Sequence, residues 1–338
     1  MDELKAQIKK ARDIKDSSIK TYMGALRKIH EKLEGKETDY KNAKFLNDYD
    51  KVMKVIDTEG KLTSKKNKLT AVLVALSSQD KKNDELIKKY NDTLKTMNEQ
   101  YFAFLRQQKK TTTQRKNWIS YGEVIKIVNK IMNHIKIFQH YETLNKSEFD
   151  ILQQYVMLRT YLTFPLRNDY ADMPVITLKK FKKLSNDEQE SKNYLILSDK
   201  RKQFNINQFK NKKFIGSKVL KIPQKLSRVI DLWLMHNKSG FYFVKQDRIS
   251  PMNPNNITKF LNKIFKKYAN GKKISTSMLR HIVISHMLKG TKTLSEQDKE
   301  AKDIENKFFH SKAVNDLYRK VDDDDDDDDN DEIDDIVE

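Results

Sequence analysis

The chain has 338 residues, contains no cysteine and carries a formal net charge of +19, with 67 Lys and Arg against 48 Asp and Glu. The lack of cysteine excludes disulfides, thiolate chemistry and cysteine-based zinc sites, and it favours a reducing compartment. No apolar run approaches the roughly 18 residues that a membrane-spanning helix requires, and the charged first segment, MDELKAQIKKARDIKD, does not resemble a signal peptide. We therefore expect an intracellular protein that is not inserted in a membrane.

The first 110 residues predict a basic bundle of helices. The whole chain has only eight Gly and five Pro, which favours long helices and few tight turns. Apolar side chains recur at steps of three and four residues in three segments. These are Ile19, Tyr22, Leu26, Ile29 and Leu33 after a start at Ser17 or Ser18; Phe45, Tyr49, Val52 and Ile56; and Leu69, Val72, Leu73 and Leu76 after a start at Thr63 or Ser64. A fourth, more polar helix is predicted from about Asp84 to Arg106.

A second domain is predicted after a short linker. Residues 107–116, QQKKTTTQRK, contain no apolar side chain, and we place the linker at residues 111–117 and the second domain at 118–321. Runs with β-branched or alternating residues at 193–197 and 202–222 predict a short antiparallel sheet. Helices are predicted at 120–140, 147–163, 225–236, 256–268, 276–289 and 296–319. The expected fold class is mainly α with a small antiparallel β-sheet (α+β).

The charge is unevenly distributed along the chain. Residues 322–338, DDDDDDDDNDEIDDIVE, hold 13 acidic and no basic residues, so leaving them out raises the formal charge of residues 1–321 to +32. A surface of this charge attracts polyanions and gains affinity by releasing their counterions, and nucleic acid is the favoured one. Like-charge repulsion predicts that the acidic tail is disordered. It is either a solubilising segment or a tethered competitor of DNA for the basic surface.

The second domain contains the residue types that a phosphodiester transesterification requires. A tyrosine can attack the phosphate and retain its energy in a covalent phosphotyrosine. Arginine donates two hydrogen bonds to the non-bridging oxygens and keeps its charge, and a lysine in a cationic site can protonate the departing oxygen. The candidates, in chain order, are Arg167, Lys210, Arg280, His310 and Tyr318. Each alone has an ordinary structural interpretation, and the joint interpretation depends on the resemblance that their motifs carry together.

The motifs that carry these residues are FPLRNDYADM, INQFKNKKFIGSKVLKIP, STSMLRHIVISHML, FFHS and NDLYRK. In order and approximate spacing they resemble the tyrosine recombinase (phage-integrase) family. The resemblance extends to residues 1–110, which are similar to the family's helical core-binding domain. The residues around Lys210 and the eight-residue step from His310 to Tyr318 resemble recombinases of eukaryotic mobile elements and large DNA viruses. This implies a nucleus or a viral factory as the compartment.

The resemblance also implies a role for each residue. Arg167 and Arg280 would bind the scissile phosphate, and Lys210, on a strand, would protonate the 5′ leaving oxygen. His310 would hydrogen-bond a non-bridging oxygen, and Tyr318 would form the 3′-phosphotyrosyl link. The implied partners are double-stranded DNA and three further copies of the chain, a homotetramer on two DNA sites that passes through a four-way junction. No metal ion or nucleotide cofactor is implied.

Two positions, Ser277 and Lys210, leave alternatives open. Most family members carry a histidine or lysine three residues before the second arginine, where this chain has Ser277. A serine hydroxyl can donate one hydrogen bond but is no useful acid or base near neutral pH. Ser277 makes a weaker contact, the neighbouring His281 assists, or activity is reduced. Lys212 and Lys213 lie in the same run as Lys210 and are alternatives to it.

Three function classes follow from the sequence. The first is a DNA recombinase or integrase. The second is a type IB topoisomerase, which shares the chemistry but relaxes supercoils as a monomer. The third is a DNA-binding protein with an impaired site, which Ser277 favours. We expect the first, because the N-terminal bundle is more similar to a recombinase arm than to a topoisomerase clamp.

Overall fold

The computed structural model describes residues 2–14, 16–35, 42–199, 201–210, 212–288 and 318–320. His310, the predicted helix 296–319 except for its last two residues, and the acidic tail lie outside these ranges. The described chain divides into two compact units, one ending at Thr112 and one beginning at Thr113. Among the described residues, no helix is long and apolar enough to cross a lipid bilayer.

The first unit is a helical bundle. Its helices in the described ranges are Asp2–Ala11 (α1), Asp16–Glu34 (α2), Tyr49–Asp57 (α3), Leu62–Ser77 (α4) and Asp84–Arg106 (α5). Helix α5 has the predicted bounds. The second predicted helix is shorter than expected, because the Asp48 side chain accepts a hydrogen bond from the backbone N–H of Lys51 and caps α3. Phe45 therefore lies in a separate 3₁₀ turn, Lys44–Leu46.

The segment predicted as a linker is partly helical. Helix α6, Thr112–Asn117, occupies nearly all of residues 111–117. Its sequence contains no Gly or Pro, so nothing in it interrupts a helical backbone. Tertiary contacts also fix its end, since Asn117 accepts a hydrogen bond from the backbone N–H of Lys273 over 2.8 Å.

The second unit combines helices with one small sheet. Its longer helices are Tyr121–Phe138 (α7), Lys146–Thr163 (α8), Gln224–His236 (α12), Pro254–Tyr268 (α13) and Thr276–Met287 (α14), and its short ones are Leu178–Phe181 (α9), Asn186–Ser191 (α10) and Lys212–Ile215 (α11). The strands are Val175–Thr177 (β1), Tyr194–Leu197 (β2), Gln203–Ile206 (β3) and Lys218–Lys221 (β4). The protein is thus mainly helical with a small sheet, as predicted.

The sheet is mixed rather than purely antiparallel. Its strand order is β1-β2-β3-β4. Strands β2, β3 and β4 pair antiparallel, with Leu195 opposite Phe204 and Phe204 opposite Leu220. Strand β1 pairs parallel with β2, and the sequence did not predict it because three residues are too few to show an alternating pattern.

Helices α8 and α14 are extensively buried in the second unit's core. Helix α8 buries most of its length, including Leu152, Val156 and Tyr161, and α14 buries Leu279 and Val283. A helix that is buried on several faces has few exposed positions for a charged residue. Arg280 of α14 is nevertheless only 2% exposed, so the fold places a guanidinium inside the unit.

Candidate active site

Three of the five predicted site residues meet in the second unit. Arg167 Nη2 donates a hydrogen bond to the phenolic oxygen of Tyr318 over 2.9 Å. The guanidinium carbon of Arg280 lies 4.8 Å from the centre of the Tyr318 ring, which is cation–π distance. One arginine therefore contacts the hydroxyl and the other contacts the ring face.

The loop that carries Arg167 is fixed by buried tyrosines. Helix α8 ends at Thr163, two residues before Pro165, and the chain then turns. Tyr161 donates its hydroxyl to the carbonyl of Arg167 over 2.8 Å, and Tyr170 donates to the carbonyl of Phe164 over 2.6 Å. Burial raises the pKa of both tyrosine hydroxyls well above 10, so each remains protonated and able to donate.

The Asp169 carboxyl group lies beside the two arginines and holds the backbone of Arg167. Its Oδ2 accepts a hydrogen bond from the backbone N–H of Arg167 over 3.1 Å. Burial raises the pKa of Asp169, while the positive charges of Arg167 and Arg280 act to lower it. The sequence analysis did not select this residue, although it lies two positions after Arg167 in the same motif. Its proximity in sequence to Arg167 could have identified it, because a buried arginine is commonly accompanied by a carboxyl group.

Arg280 is the most buried of the converging groups. The Ser275 side chain accepts a hydrogen bond from the N–H of Met278 and starts α14 five residues before Arg280. Burial lowers the pKa of Arg280 to about 10, and the nearby Tyr318 and Asp169 act in the opposite direction. The guanidinium is therefore still charged at neutral pH, and its position is set by the helix rather than by a flexible loop.

His281 contacts both the backbone and the ring of Tyr318. Its Nδ1 lies 2.7 Å from the carbonyl oxygen of Tyr318, and the two rings have centroids 4.8 Å apart. Since a carbonyl can only accept, Nδ1 carries the proton and donates it. Burial lowers the pKa of His281 to about 4, which leaves the imidazole neutral at pH 7.

Lys210 lies in the connection between β3 and β4, not on a strand as predicted. It is exposed, and within the described residues its side chain makes no hydrogen bond or ion pair. Of the two alternatives, Lys212 forms an ion pair with Glu190 at 3.1 Å and Lys213 makes contacts of its own. The structure thus brings Lys210 into no contact with Arg167, Arg280 or Tyr318.

A buried asparagine nevertheless joins the Lys210 connection to the Arg167 loop. Asn193 donates to the carbonyls of Asp169 and Gln208 over 2.8 and 2.9 Å. Its side-chain oxygen accepts from the N–H groups of Asn207 and Gln208 over 2.8 and 2.6 Å. The side-chain amide thus uses all of its hydrogen-bonding capacity to hold two loops together. The contacts are at Asp169, two residues after Arg167, and at Gln208, two residues before Lys210. Sequence reasoning missed Asn193, which lies at the start of a strand like many ordinary asparagines.

Ser277 is an exposed residue in the first turn of α14, one turn before Arg280. In the part of the chain that the structure describes, its hydroxyl has no hydrogen-bond partner, so it remains accessible for a ligand oxygen. His310 falls outside the described residues. Nor do any three His, Asp or Glu side chains in the described ranges lie close enough together to hold a metal ion.

Comparisons with known proteins add little to this geometry. No protein-family model and no curated protein sequence matches the chain. One solved structure with some likeness is the crystal structure of XerA recombinase, at 13% sequence identity and a TM-score of 0.38, over 96% of this chain and 95% of that chain. A likeness of this degree supports no conclusion by itself, so the functional argument depends on the site.

Proposed function

We propose that the protein is a DNA recombinase or integrase that cleaves and rejoins strands through a 3′-phosphotyrosyl intermediate. The observation that carries the proposal is the convergence of Arg167 and Arg280 on the phenol of Tyr318. The guanidinium that donates to the nucleophilic oxygen is also the group best suited to bind a non-bridging phosphate oxygen. A phosphodiester bound there would therefore contact the attacking atom.

The proposed reaction is an in-line displacement at phosphorus. The bond from Tyr318 Oη to phosphorus forms, the bond from phosphorus to the 5′ oxygen breaks, and the phenolic proton passes to solvent. Lys210 gives a proton to the 5′ oxygen, and the lysine recovers it from water. Negative charge grows on the non-bridging oxygens, where two preorganised guanidinium groups oppose it. Rejoining is the reverse reaction with a 5′ hydroxyl of another strand, so no external energy source is needed.

DNA is the proposed substrate because of charge. Residues 1–321 carry a formal charge of +32, which suits repeated contact with phosphates. Exchange between two duplexes requires two cleavages at each site, and we propose a homotetramer that passes through a four-way junction. A role in a mobile element or virus, in a nucleus or viral factory, is the corresponding biological setting.

A pool of nicked duplexes tests the proposal without knowledge of the target. Cleavage beside a nick releases a short fragment and traps the enzyme on DNA, so we expect a complex that resists SDS. Tyr318→Phe should form none. Tyr141→Phe is the matched control, since Tyr141 is 48% exposed in the same unit and loses only a hydroxyl.

The products separate the three function classes. Recombinant joints between two duplexes support the recombinase. Supercoil relaxation with adduct but without recombinant joints would instead assign a topoisomerase. DNA binding with no adduct on any nicked duplex would leave a binding protein and overturn the proposal.

A further inference from the structure

The backbone on both sides of the tyrosine is attached to one helix. His281 Nδ1–H donates to the carbonyl of Tyr318 over 2.7 Å, and Ser285 Oγ accepts from the N–H of Lys320 over 2.8 Å. His281 and Ser285 are four residues apart, so they lie on the same face of α14. Helix α14 therefore fixes the nucleophile segment, residues 318–320, at two points.

The side chain of the tyrosine is held by the same chain as well. Arg280, also on α14, lies against its ring, and Arg167 donates to its hydroxyl. Helix α14 thus supplies three contacts to this segment. Arg280 lies against the Tyr318 ring, His281 binds the Tyr318 carbonyl, and Ser285 binds the N–H of Lys320. Delivery of Tyr318 to another subunit would require all of these contacts to break.

We infer that His281 is a positioning residue which holds Tyr318 in the active site of its own chain, so that cleavage occurs in cis. The inference rests on the proposed function and adds to it the identity of the attacking subunit. It also assigns a role to His281, the histidine beside Arg280. Because its Nδ1–H donates a hydrogen bond to the Tyr318 carbonyl, His281 orients the nucleophile and does not replace the acid or base that Ser277 lacks.

A mixing experiment tests cis cleavage directly. Full-length Tyr318→Phe, which keeps both arginines, is mixed with full-length Arg167→Ala, which keeps the tyrosine and carries a tag that changes its mass. A nicked duplex that traps the wild-type protein is the probe. We expect no more adduct from the mixture than from either variant alone. Adduct on the tagged Arg167→Ala chain at a level near that of the wild type would show attack across subunits and overturn the inference.

The wild-type protein distinguishes the two ways to fail. If it forms no adduct on any nicked duplex, the proposed function fails and the cis assignment fails with it. If it forms adduct and the mixture does too, only the cis assignment fails. Arg167 is half-buried rather than fully buried, so its replacement leaves the α14 core intact.

Substitutions of His281 test the positioning role. His281→Phe keeps a ring but loses the donor, and we expect the single-turnover cleavage rate to fall about 10- to 100-fold, as for other small misplacements of a reacting group. The Kd for the duplex should not change. His281→Asn places an amide N–H near the Nδ1 position and should recover part of the rate. A wild-type rate in His281→Phe would contradict the role.

Amide exchange provides a readout that needs no DNA. The Lys320 N–H is hydrogen-bonded to Ser285 and should exchange slowly in the wild-type protein. In His281→Phe it should exchange faster, while amides in the middle of α8 stay protected. Fast exchange at Lys320 in the wild type would show that the segment is not docked and would overturn the inference.

Discussion

Arg167 and Arg280 reach the tyrosine by different structural means. Arg280 is carried on a buried helix and is 2% exposed, so its position is set by core packing. Arg167 lies in a loop whose backbone is fixed by Asp169 at the N–H and by Tyr161 at the carbonyl. Both devices keep a guanidinium in place before the ligand arrives, which is the condition for effective electrostatic catalysis.

Replacement of Arg167 by lysine tests whether its preorganised guanidinium is needed. Arg167→Lys keeps the charge but loses the planar fork, and we expect adduct formation to slow by about 100-fold, typical for removal of one preorganised donor. Binding of the duplex should change little. Arg228→Lys is the control, because Arg228 is exposed on α12 of the same unit. Equal rates for the two variants would show that Arg167 does not contact the phosphate.

The sequence predicts some of these residues and not others, for a physical reason. Arg167, Arg280 and Tyr318 could be selected because their motifs resemble those of the tyrosine recombinase family in order and spacing. Asp169 and Asn193 act through contacts with backbone groups that only the folded chain brings near. No local pattern encodes such contacts, so an asparagine in this role has the same sequence signature as one on the surface.

Helix α8 carries two adjacent buried glutamines with different surroundings. Gln153 donates to the carbonyl of Val244 over 3.1 Å and accepts from its N–H over 2.9 Å. Gln154 donates to Asp150 over 2.8 Å, but its buried side-chain oxygen has no partner within the described residues. Gln153 therefore pairs both backbone polar groups of Val244, which lies outside the sheet. Gln154 uses its amide N–H, but among the residues described its side-chain oxygen is unpaired.

Substitution of each glutamine by methionine should change the free energy of unfolding by different amounts. Gln153→Met leaves a buried N–H and carbonyl without partners, and we expect the free energy of unfolding to fall by about 2–4 kcal/mol. Gln154→Met removes one hydrogen bond and one unpartnered oxygen, so a change below about 1 kcal/mol is expected. Urea unfolding of both variants measures this. Equal losses of stability would contradict the account of α8.

The β3–β4 connection is where the identity of the general acid can be decided. A duplex with sulfur in place of the bridging 5′ oxygen has a leaving group that departs as a thiolate and needs no proton. We expect Lys210→Ala to be slow, by about 100-fold, on the normal duplex and close to wild type on the sulfur duplex. Arg167→Lys should be slow on both. Rescue of Lys213→Ala instead of Lys210→Ala would assign the neighbouring lysine.

At the level of elements, length decided what the sequence could predict. Long helices such as α5 and α7 show several turns of apolar periodicity, and their predicted bounds agree with the structure within one or two residues. Strand β1 and helix α6 have three and six residues, too few for a periodic signal. Both form because of pairing or tertiary contacts, which are properties of the fold and not of the segment.

The whole molecule combines a basic body with an acidic tail in sequence. Residues 322–338 contribute 13 negative charges against a formal charge of +32 in the rest of the chain. A tethered polyanion has a high effective concentration and can compete with DNA phosphates. Under the proposed function, the tail would then limit non-specific binding of DNA to the basic surface.

Truncation after Val321 tests this competition. We expect affinity for duplex DNA to rise about tenfold at low salt and to approach that of the full chain as salt screens the charges. A full-length variant with Asn and Gln in place of the tail's Asp and Glu should behave like the truncation, because charge and not length is responsible. If the truncated protein has the same affinity for DNA at low salt as the full chain, the tail does not compete with DNA.

The central claim is that Tyr318 is the nucleophile, and the attachment site of trapped DNA tests it most directly. After nuclease and trypsin digestion of the adduct, the peptide of residues 313–319, AVNDLYR, should carry a nucleotide joined through a 3′ phosphate to Tyr318. Fragmentation by mass spectrometry locates the added mass. A nucleotide on any other residue, or attachment through a 5′ phosphate, would contradict the account.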